Sequence, residues 1–286
     1  METPPDVLML SVSGLRGTFG GSLTPEVIAR YAVAFASYLR SRSASTGKPQ
    51  KDRPHVVVAN DGRIGAAAVK AIAIPALNLA GCDTADLGVA ATPTVGLVAD
   101  VIGAHGALQI TASHNPQQWC GIKTILRSPK AKKGLPNASA PDKTTANEIV
   151  GIYRDGPAKT LPWDKIGANF QLFQVDASHA LRVLTTLDTF GISKQINKKK
   201  YNVIIDDACA SGRMLAPSML NELDCKVERL YQQADGIFPH APEPTRENLS
   251  ALCKRVRTQK AHIGLAQDPD ADRLALIDDT GTYIGE

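Results

Sequence analysis

Asp268-Pro269-Asp270-Ala271-Asp272 puts three carboxylates at alternate positions, and Arg273 follows at once. Carboxylates this close repel one another unless a cation lies between them. Hard oxygen donors suit a hard divalent cation, Mg2+ first among them. A calcium loop of EF-hand type also opens with alternating aspartates, but it needs Gly at its sixth position and Glu at its twelfth. Here Arg273 and Asp279 stand there, and no helix is expected before the loop. A solvated Asp-Pro turn, or phosphatase chemistry with Asp268 as nucleophile and Asp270 as acid/base, stays open on this loop alone.

A second candidate lies far upstream, at Thr111-Ala112-Ser113-His114-Asn115-Pro116. A serine hydroxyl is a poor nucleophile unless activated, and a phosphoserine can carry a phosphoryl group. Asn115-Pro116 is a turn-forming pair that would hold Ser113 on an exposed bend. Lys123 follows in Gly121-Ile122-Lys123. Its ammonium could balance phosphoryl charge, or move a proton if its pKa is lowered.

The elements around both loops alternate. Val56–Ala59, Thr84–Leu87 and Ala107–Ile110 read as strands; Ala66–Ala80 and Pro93–Ile102 read as helices between them, the first despite Pro75. Upstream, Thr24 suits a helix N-cap, Pro25 its first turn and Glu26 its positive end. Ile28, Tyr31, Ala32, Phe35, Tyr38 and Leu39 then share one helical face, and Ser41–Arg53 reads as a loop. In the second half, a strand at Val203–Asp206 leads into the small-residue loop Ala208–Arg213 and a helix to about Leu223. A strand at Lys226–Tyr231 and a helix over Glu247–Thr258 follow. Short strands at Ala261–Ala266 and Leu274–Ile277 flank the acidic loop. Both halves thus read strand-helix-strand-helix-strand-loop. That predicts two consecutive three-layer α/β domains with mixed, mainly parallel sheets, over 1–155 and 156–286. The boundary is expected in Arg154-Asp155-Gly156-Pro157-Ala158-Lys159, and residues 128–143 read as a Pro- and Lys-rich surface loop.

A chain of 286 residues, 43% apolar, has room for two cores. A net charge of +4 is too mild to argue for nucleic acid. The basic clusters at 130–133 and 198–200 read as solvated loops or helix ends. The five cysteines form no Cys-x-x-Cys pair, which favours a reducing compartment without structural zinc. Met1–Asp6 lacks a basic region and no long apolar run follows, so neither a signal peptide nor a membrane span is expected. A cytoplasmic location is the expectation.

Together, Thr111–Pro116 and Asp268–Arg273 resemble the phosphoserine loop and the metal loop of the α-D-phosphohexomutases. That family includes phosphoglucomutase, phosphomannomutase and phosphoglucosamine mutase. Ser11-Val12-Ser13-Gly14-Leu15-Arg16-Gly17 is similar to its N-terminal arginine loop. Gly14 and Gly17 would let the backbone approach, and the Arg16 guanidinium could grip a phosphate with two hydrogen bonds. Asp61-Gly62-Arg63 resembles the family's Asp-x-Arg turn and Pro242-Glu243-Pro244 its Pro-Glu-Pro segment, both read as scaffold. Cys120 departs from the pattern, standing where the family usually has Asn.

The resemblance implies a division of labour. Ser113 would carry the phosphoryl group, and Mg2+ would be held by Asp268, Asp270, Asp272 and a phosphoserine oxygen of Ser113. Lys123 would be the acid/base, Arg16 and Arg273 would lie near the transferred phosphate, and His114 would shape the nucleophile's surroundings. It implies interconversion of hexose 6-phosphate and hexose 1-phosphate through a bisphosphorylated sugar, with glucosamine, mannose or glucose phosphate as substrate. The alternatives are a phosphoserine-dependent sugar-phosphate phosphatase and a non-catalytic Mg2+-binding remnant. Four domains make up the family's members, and the sequence ends at Glu286, where the second would meet the third. Domains three and four are therefore expected to be absent, with a further copy or a complementing chain as a possible partner.

Overall fold

A computed structural model describes residues 7–45, 53–127, 137–156 and 160–286. Its first sheet holds β1 (Met9–Ser11), β2 (Gly14–Thr18), β3 (His55–Asn60), β4 (Asp83–Val89), β5 (Gly106–Ile110), β6 (Trp119–Arg127), β7 (Ala138–Ser139) and β8 (Asn169–Gln171). The second holds β9 (Asn202–Asp206), β10 (Lys226–Arg229), β11 (Ile263–Gln267), β12 (Leu274–Ile277) and β13 (Tyr283–Gly285). The lateral orders are β1-β2-β6-β5-β3-β4-β8, with β7 beside β6, and β10-β9-β11-β12-β13. Each sheet is mixed around a parallel centre. The trio β4-β3-β5 is continued by antiparallel β6, and the trio β10-β9-β11 by antiparallel β12.

The helices are α1 (Pro25–Ser45), α2 (Ala66–Leu79), α3 (Thr92–Val101), α4 (Lys143–Asp155), α5 (Val175–Thr189), α6 (Ile192–Lys199), α7 (Gly212–Glu222) and α8 (Ser250–Gln259). β3 reads His-Val-Val-Val-Ala-Asn, the continuous apolar run of a strand covered on both faces. Val56 and Val58 join the cluster containing Tyr31 and Phe35 of α1, Leu77 of α2 and Ile149 of α4. Val57 and Ala59 point the other way, toward Val95 and Val98 of α3. β9 repeats the arrangement: Ile204 packs with Leu252 and Val256 of α8, and Val203 and Ile205 pack with Ala216 and Leu220 of α7. Each half is therefore three layers deep. α5 serves both, since Val175 at its start joins the first half's core and Leu184 and Leu187 near its end join the second half's.

α1 starts as its sequence predicts, with the Val27 N–H donating to Thr24 Oγ1 at 3.4 Å. Its six apolar-face residues are all buried. The helix continues to Ser45, beyond the expected loop start at Ser41, and the rest of that loop, 46–52, lies outside the described residues. α2 runs through Pro75, whose ring is exposed. The chain has not finished with the first sheet at 154–159, part of which is undescribed: β8 returns to add in parallel beside β4. α4, α5 and α6 occupy stretches that the alternating pattern did not assign. Met1–Asp6 and most of the Pro- and Lys-rich stretch, 128–136 with its basic cluster, also lie outside the described residues. Among the described residues no helix is long and apolar enough to cross a membrane.

Candidate active site

The loops that leave the carboxyl ends of β5 and β11 meet. Open α/β sheets gather ligands at this edge, where successive connections diverge to opposite faces. Ser113 follows β5 and Asp268 follows β11, and the Ser113 hydroxyl donates to Asp268 Oδ2 at 3.0 Å across a separation of 155 residues.

Ser113 adopts φ +50°, a left-handed conformation that an L-residue keeps only when its surroundings enforce it. Its N–H donates to Thr111 Oγ1 at 2.8 Å, and the Thr111 hydroxyl donates to Asp61 Oδ2 at 2.6 Å. Arg63 completes the support. Its Nε donates to Asp61 Oδ2 (2.8 Å), its Nη1 to the Trp119 carbonyl (2.7 Å) and its Nη2 to the Ser113 carbonyl (2.6 Å). The planar guanidinium thus ties both ends of the serine loop to the turn after β3, a task for which a lysine lacks the fork. Asp61 and Arg63 are fully buried as a pair. The Asp-x-Arg turn therefore acts as scaffold, on the nucleophile's own backbone.

The carboxylates of Asp268, Asp270 and Asp272 each offer an oxygen within 4.8 Å of the others. Asp268 and Asp270 are buried, whereas Asp272 is exposed. Burial pushes the Asp268 carboxyl above its ordinary range, and the charges of Asp270 and Asp272 push it further. Burial opposes ionisation of Asp270 as well, but Lys123 and the Thr92 hydroxyl outweigh it, and this carboxyl is held below the usual range. Lys123 stands on β6, opposite Gly14 of β2 and Gln109 of β5. Its Nζ donates at 2.6 Å to both Asp270 Oδ2 and Asp272 Oδ2. Desolvation alone would lower its pKa, yet the two carboxylates raise it, so the ammonium form is favoured.

The donor set fits a hard divalent cation. It is all oxygen, its members crowd one another, and Asp270 Oδ1 is buried with no hydrogen-bond partner. A buried acceptor without a donor carries a desolvation penalty that a cation would remove.

The remaining predicted residues surround this point. His114 Nδ1 lies 3.4 Å from Ser113 Oγ and its Nε2 4.0 Å from Glu243. Burial and the neighbouring Arg273 charge lower its pKa, which favours neutral imidazole. The Arg273 N–H donates to Asp268 Oδ1 at 3.2 Å, and its guanidinium reaches toward Glu243 and Glu286 at 4.0 and 3.8 Å. Arg16, on β2, feels burial first, then the charges of Asp270, Arg63, Asp272 and Arg273, and its pKa is lowered. No ion pair closes on Arg16 among the described residues, so its guanidinium is available to an anion.

Three contributors escaped the sequence reading. Thr92, at the start of α3, donates its hydroxyl to Asp270 Oδ2. Ser211 donates through both N–H and hydroxyl to the Pro269 carbonyl, at 3.1 and 2.8 Å. Gln117 holds the 236–238 backbone of the second half, its Nε2 donating to the Gly236 carbonyl (3.0 Å) and its Oε1 accepting from the Phe238 N–H (2.8 Å). The Gly236 carbonyl also accepts from the Ile64 N–H at 2.9 Å. Thr92 opens a helix, Ser211 precedes one and Gln117 follows Asn-Pro, local signals that mark a turn without naming what it holds.

Two α/β/α units that turn a serine loop and an aspartate loop toward each other define a class, and known proteins share it. Residues 9–136 match the phosphoglucomutase/phosphomannomutase alpha/beta/alpha domain I, and residues 182–281 match its alpha/beta/alpha domain II. A probable phosphoglucosamine mutase of Methanothermobacter thermautotrophicus is 34% identical over 276 residues, covering 96% of this chain and 55% of that protein. A phosphoglucomutase/phosphomannomutase of Thermococcus kodakarensis is 30% identical over 272 residues, covering 95% of this chain and 55% of that one. A crystal structure of a putative phosphomannomutase from Thermus thermophilus superposes with a TM-score of 0.78 at 22% identity, over 99% of this chain and 59% of that chain. The chain belongs to the phosphoglucomutase/phosphomannomutase family, the α-D-phosphohexomutases. It spans about half the length of the relatives it matches.

Proposed function

We propose that the chain carries out the phosphoryl-transfer chemistry of a phosphohexomutase, exchanging hexose 6-phosphate and hexose 1-phosphate with Ser113 as the phosphoryl carrier. Glucosamine, mannose and glucose phosphates are the candidate sugars, in keeping with the relatives named phosphoglucosamine mutase and phosphoglucomutase/phosphomannomutase. The observation that carries the reading is the 3.0 Å contact between Ser113 Oγ and Asp268 Oδ2. It brings a candidate nucleophile and a candidate cation centre to one point from opposite halves of the molecule.

In this reading phospho-Ser113 meets a free hydroxyl of a hexose monophosphate. The Ser113 O–P bond breaks as a sugar O–P bond forms, giving a bisphosphorylated sugar. The Lys123 ammonium already carries a proton: in this reading it gives that proton to Ser113 Oγ as the oxygen leaves phosphorus, and the proton released by the sugar hydroxyl replaces it. In the reverse transfer the sugar's other phosphate returns to Ser113, which leaves the isomeric monophosphate. Phosphoryl transfer depends on alignment and charge neutralisation more than on covalent chemistry. Asp268, Asp270, Asp272 and a phosphoserine oxygen would hold Mg2+, which would add positive charge beside the transferred group. Arg16 and Arg273 grip the phosphate oxygens, and neutral His114 flanks the nucleophile.

The test is phosphoserine mapping by mass spectrometry after exposure to a hexose 1,6-bisphosphate. Wild type is expected to gain one phosphoryl group at Ser113, and Ser113→Ala none. Equal labelling of the variant would remove Ser113 from the mechanism. Release of inorganic phosphate without interconversion of hexose phosphates would favour the phosphatase alternative.

A further inference from the structure

Asp270 belongs to the second half, yet its carboxylate is oriented from the first. α3 begins after Ala91, whose side chain cannot cap it. The first N–H groups of a helix have no partner within the helix. The Thr92 N–H donates instead to the Asp270 carbonyl at 2.8 Å. The Thr92 hydroxyl donates to Asp270 Oδ2 at 2.5 Å, so one residue grips both backbone and side chain of the other. Lys123 Nζ donates to the same oxygen at 2.6 Å. Oδ2 is thereby supplied with two donors, whereas the buried Oδ1 receives no N–H, ammonium or hydroxyl donor, and the remaining side-chain contact of Asp270 is with the neighbouring ligand carboxyl of Asp268.

We infer that Thr92 is a positioning residue for the cation centre: its two-point hold on Asp270 selects Oδ1 as the oxygen presented to the ion, and makes ion affinity depend on the docking of the two halves. Half a turn about the Cβ–Cγ bond would exchange the oxygens, and the Thr92 hydroxyl opposes that rotation. Lys123 alone does not, because its long stem can follow either oxygen. Partners behind a ligand carboxylate commonly contribute 10- to 100-fold in metal affinity. The inference rests on the phosphohexomutase reading only in requiring that the centre take a divalent cation.

Isothermal titration of the whole chain with Mg2+ tests it without reference to turnover. Thr92→Val keeps shape and backbone N–H but removes the hydroxyl, and Thr92→Ser restores the hydroxyl. The expected result is about tenfold weaker Mg2+ binding by Thr92→Val and recovery to within about twofold of wild type by Thr92→Ser. Thr92→Ala lacks the hydroxyl too, and replaces the valine variant if that protein does not fold. Tight binding by a variant without the hydroxyl, or weak binding by Thr92→Ser, overturns the role of Thr92. Failure of wild type to bind any divalent cation overturns the cation centre itself, a separate outcome.

Discussion

From the last residue of β3 the chain reads Asn60-Asp61-Gly62-Arg63, and from the last residue of β9 it reads Asp206-Asp207-Ala208-Cys209. Asn60 and Asp61 accept from the N–H groups two residues on, at 3.0 and 3.1 Å. Asp206 and Asp207 do the same at 3.1 Å each. The third residue of each turn is left-handed, Gly62 at φ +86° and Ala208 at φ +50°. The aspartate at the second position of each takes an arginine: Arg63 from its own turn, Arg229 from β10. Asn60 lies level with Ile110, ahead of Ser113, and Asp206 lies level with Ala266, ahead of Asp268. One chassis has been used twice with hardly a residue in common. The difference lies in the load. The serine loop is long and is tied at both ends by Arg63. The aspartate loop is short and closes on itself, the Ala271 N–H donating to the Asp268 carbonyl at 2.9 Å.

The largest test of that contrast is the pair of arginines. Arg63→Met leaves Asp61 as an unpaired buried charge and strips donors from the Ser113 and Trp119 carbonyls. Its expected cost is about 3–5 kcal/mol in denaturant unfolding. Arg229→Met at the equivalent pair is expected to cost about 2 kcal/mol, because the Arg229 side chain is 20% exposed and supports no active loop. Equal costs would break the comparison.

A smaller difference is electrostatic. Asn60 is neutral and donates to the Gly88 carbonyl, whereas Asp206 is paired with His240 at 2.9 Å. Burial alone would lower the His240 pKa, but the hydrogen bond and charge of Asp206 and the bond to the Ala241 carbonyl raise it. The stabilisation is fully present below the ordinary imidazole value of about 6.5, and is lost as pH rises through the higher folded value. The unfolding midpoint should therefore fall by a few degrees across that window. Asp206→Asn should flatten the profile by making the second turn resemble the first, and an unchanged slope would exclude His240 as the source.

The smallest effects belong to the left-handed position. Gly62→Ala should cost about 1 kcal/mol, since φ is +86° and the new Cβ would lie 3.2 Å from Val89 Cγ1. Ala208→Gly should gain about 0.5 kcal/mol, the relieved strain being partly offset by glycine's extra freedom in the unfolded chain. Chemical denaturation of both variants measures the two signs directly.

Much of this was legible in the sequence because the central strands are buried on both faces and the loops are written in short polar motifs. Val56–Ala59 and Val203–Asp206 read as strands for that reason. Ser113, Lys123 and the three aspartates came together as the paired motifs implied. What escaped was the support that crosses the sequence. Thr92 and Gln117 act on partners more than a hundred residues away, at 270 and 236–238. A lone Thr or Gln carries no sign of such a partner. β6 was hidden by Gly121, which interrupts an apolar run because a Cβ there would fall 2.1 Å from the Leu15 carbonyl oxygen of the neighbouring strand. α5 was hidden because its contacts are divided between two cores, leaving Leu181, and Phe190 just past its end, exposed and no clean apolar stripe.

Gly236 has a mechanical consequence. A Cβ at this residue would sit 2.2 Å from the Gly62 carbonyl oxygen and 2.6 Å from the Ile64 nitrogen, so main chain rests directly on main chain. Side chains can slip past one another by changing rotamer, but two backbones in hydrogen-bonded contact have no such lubricant. A side chain at 236 would therefore have to push the two main chains apart, and the register between the serine-loop half and the aspartate-loop half would shift with it.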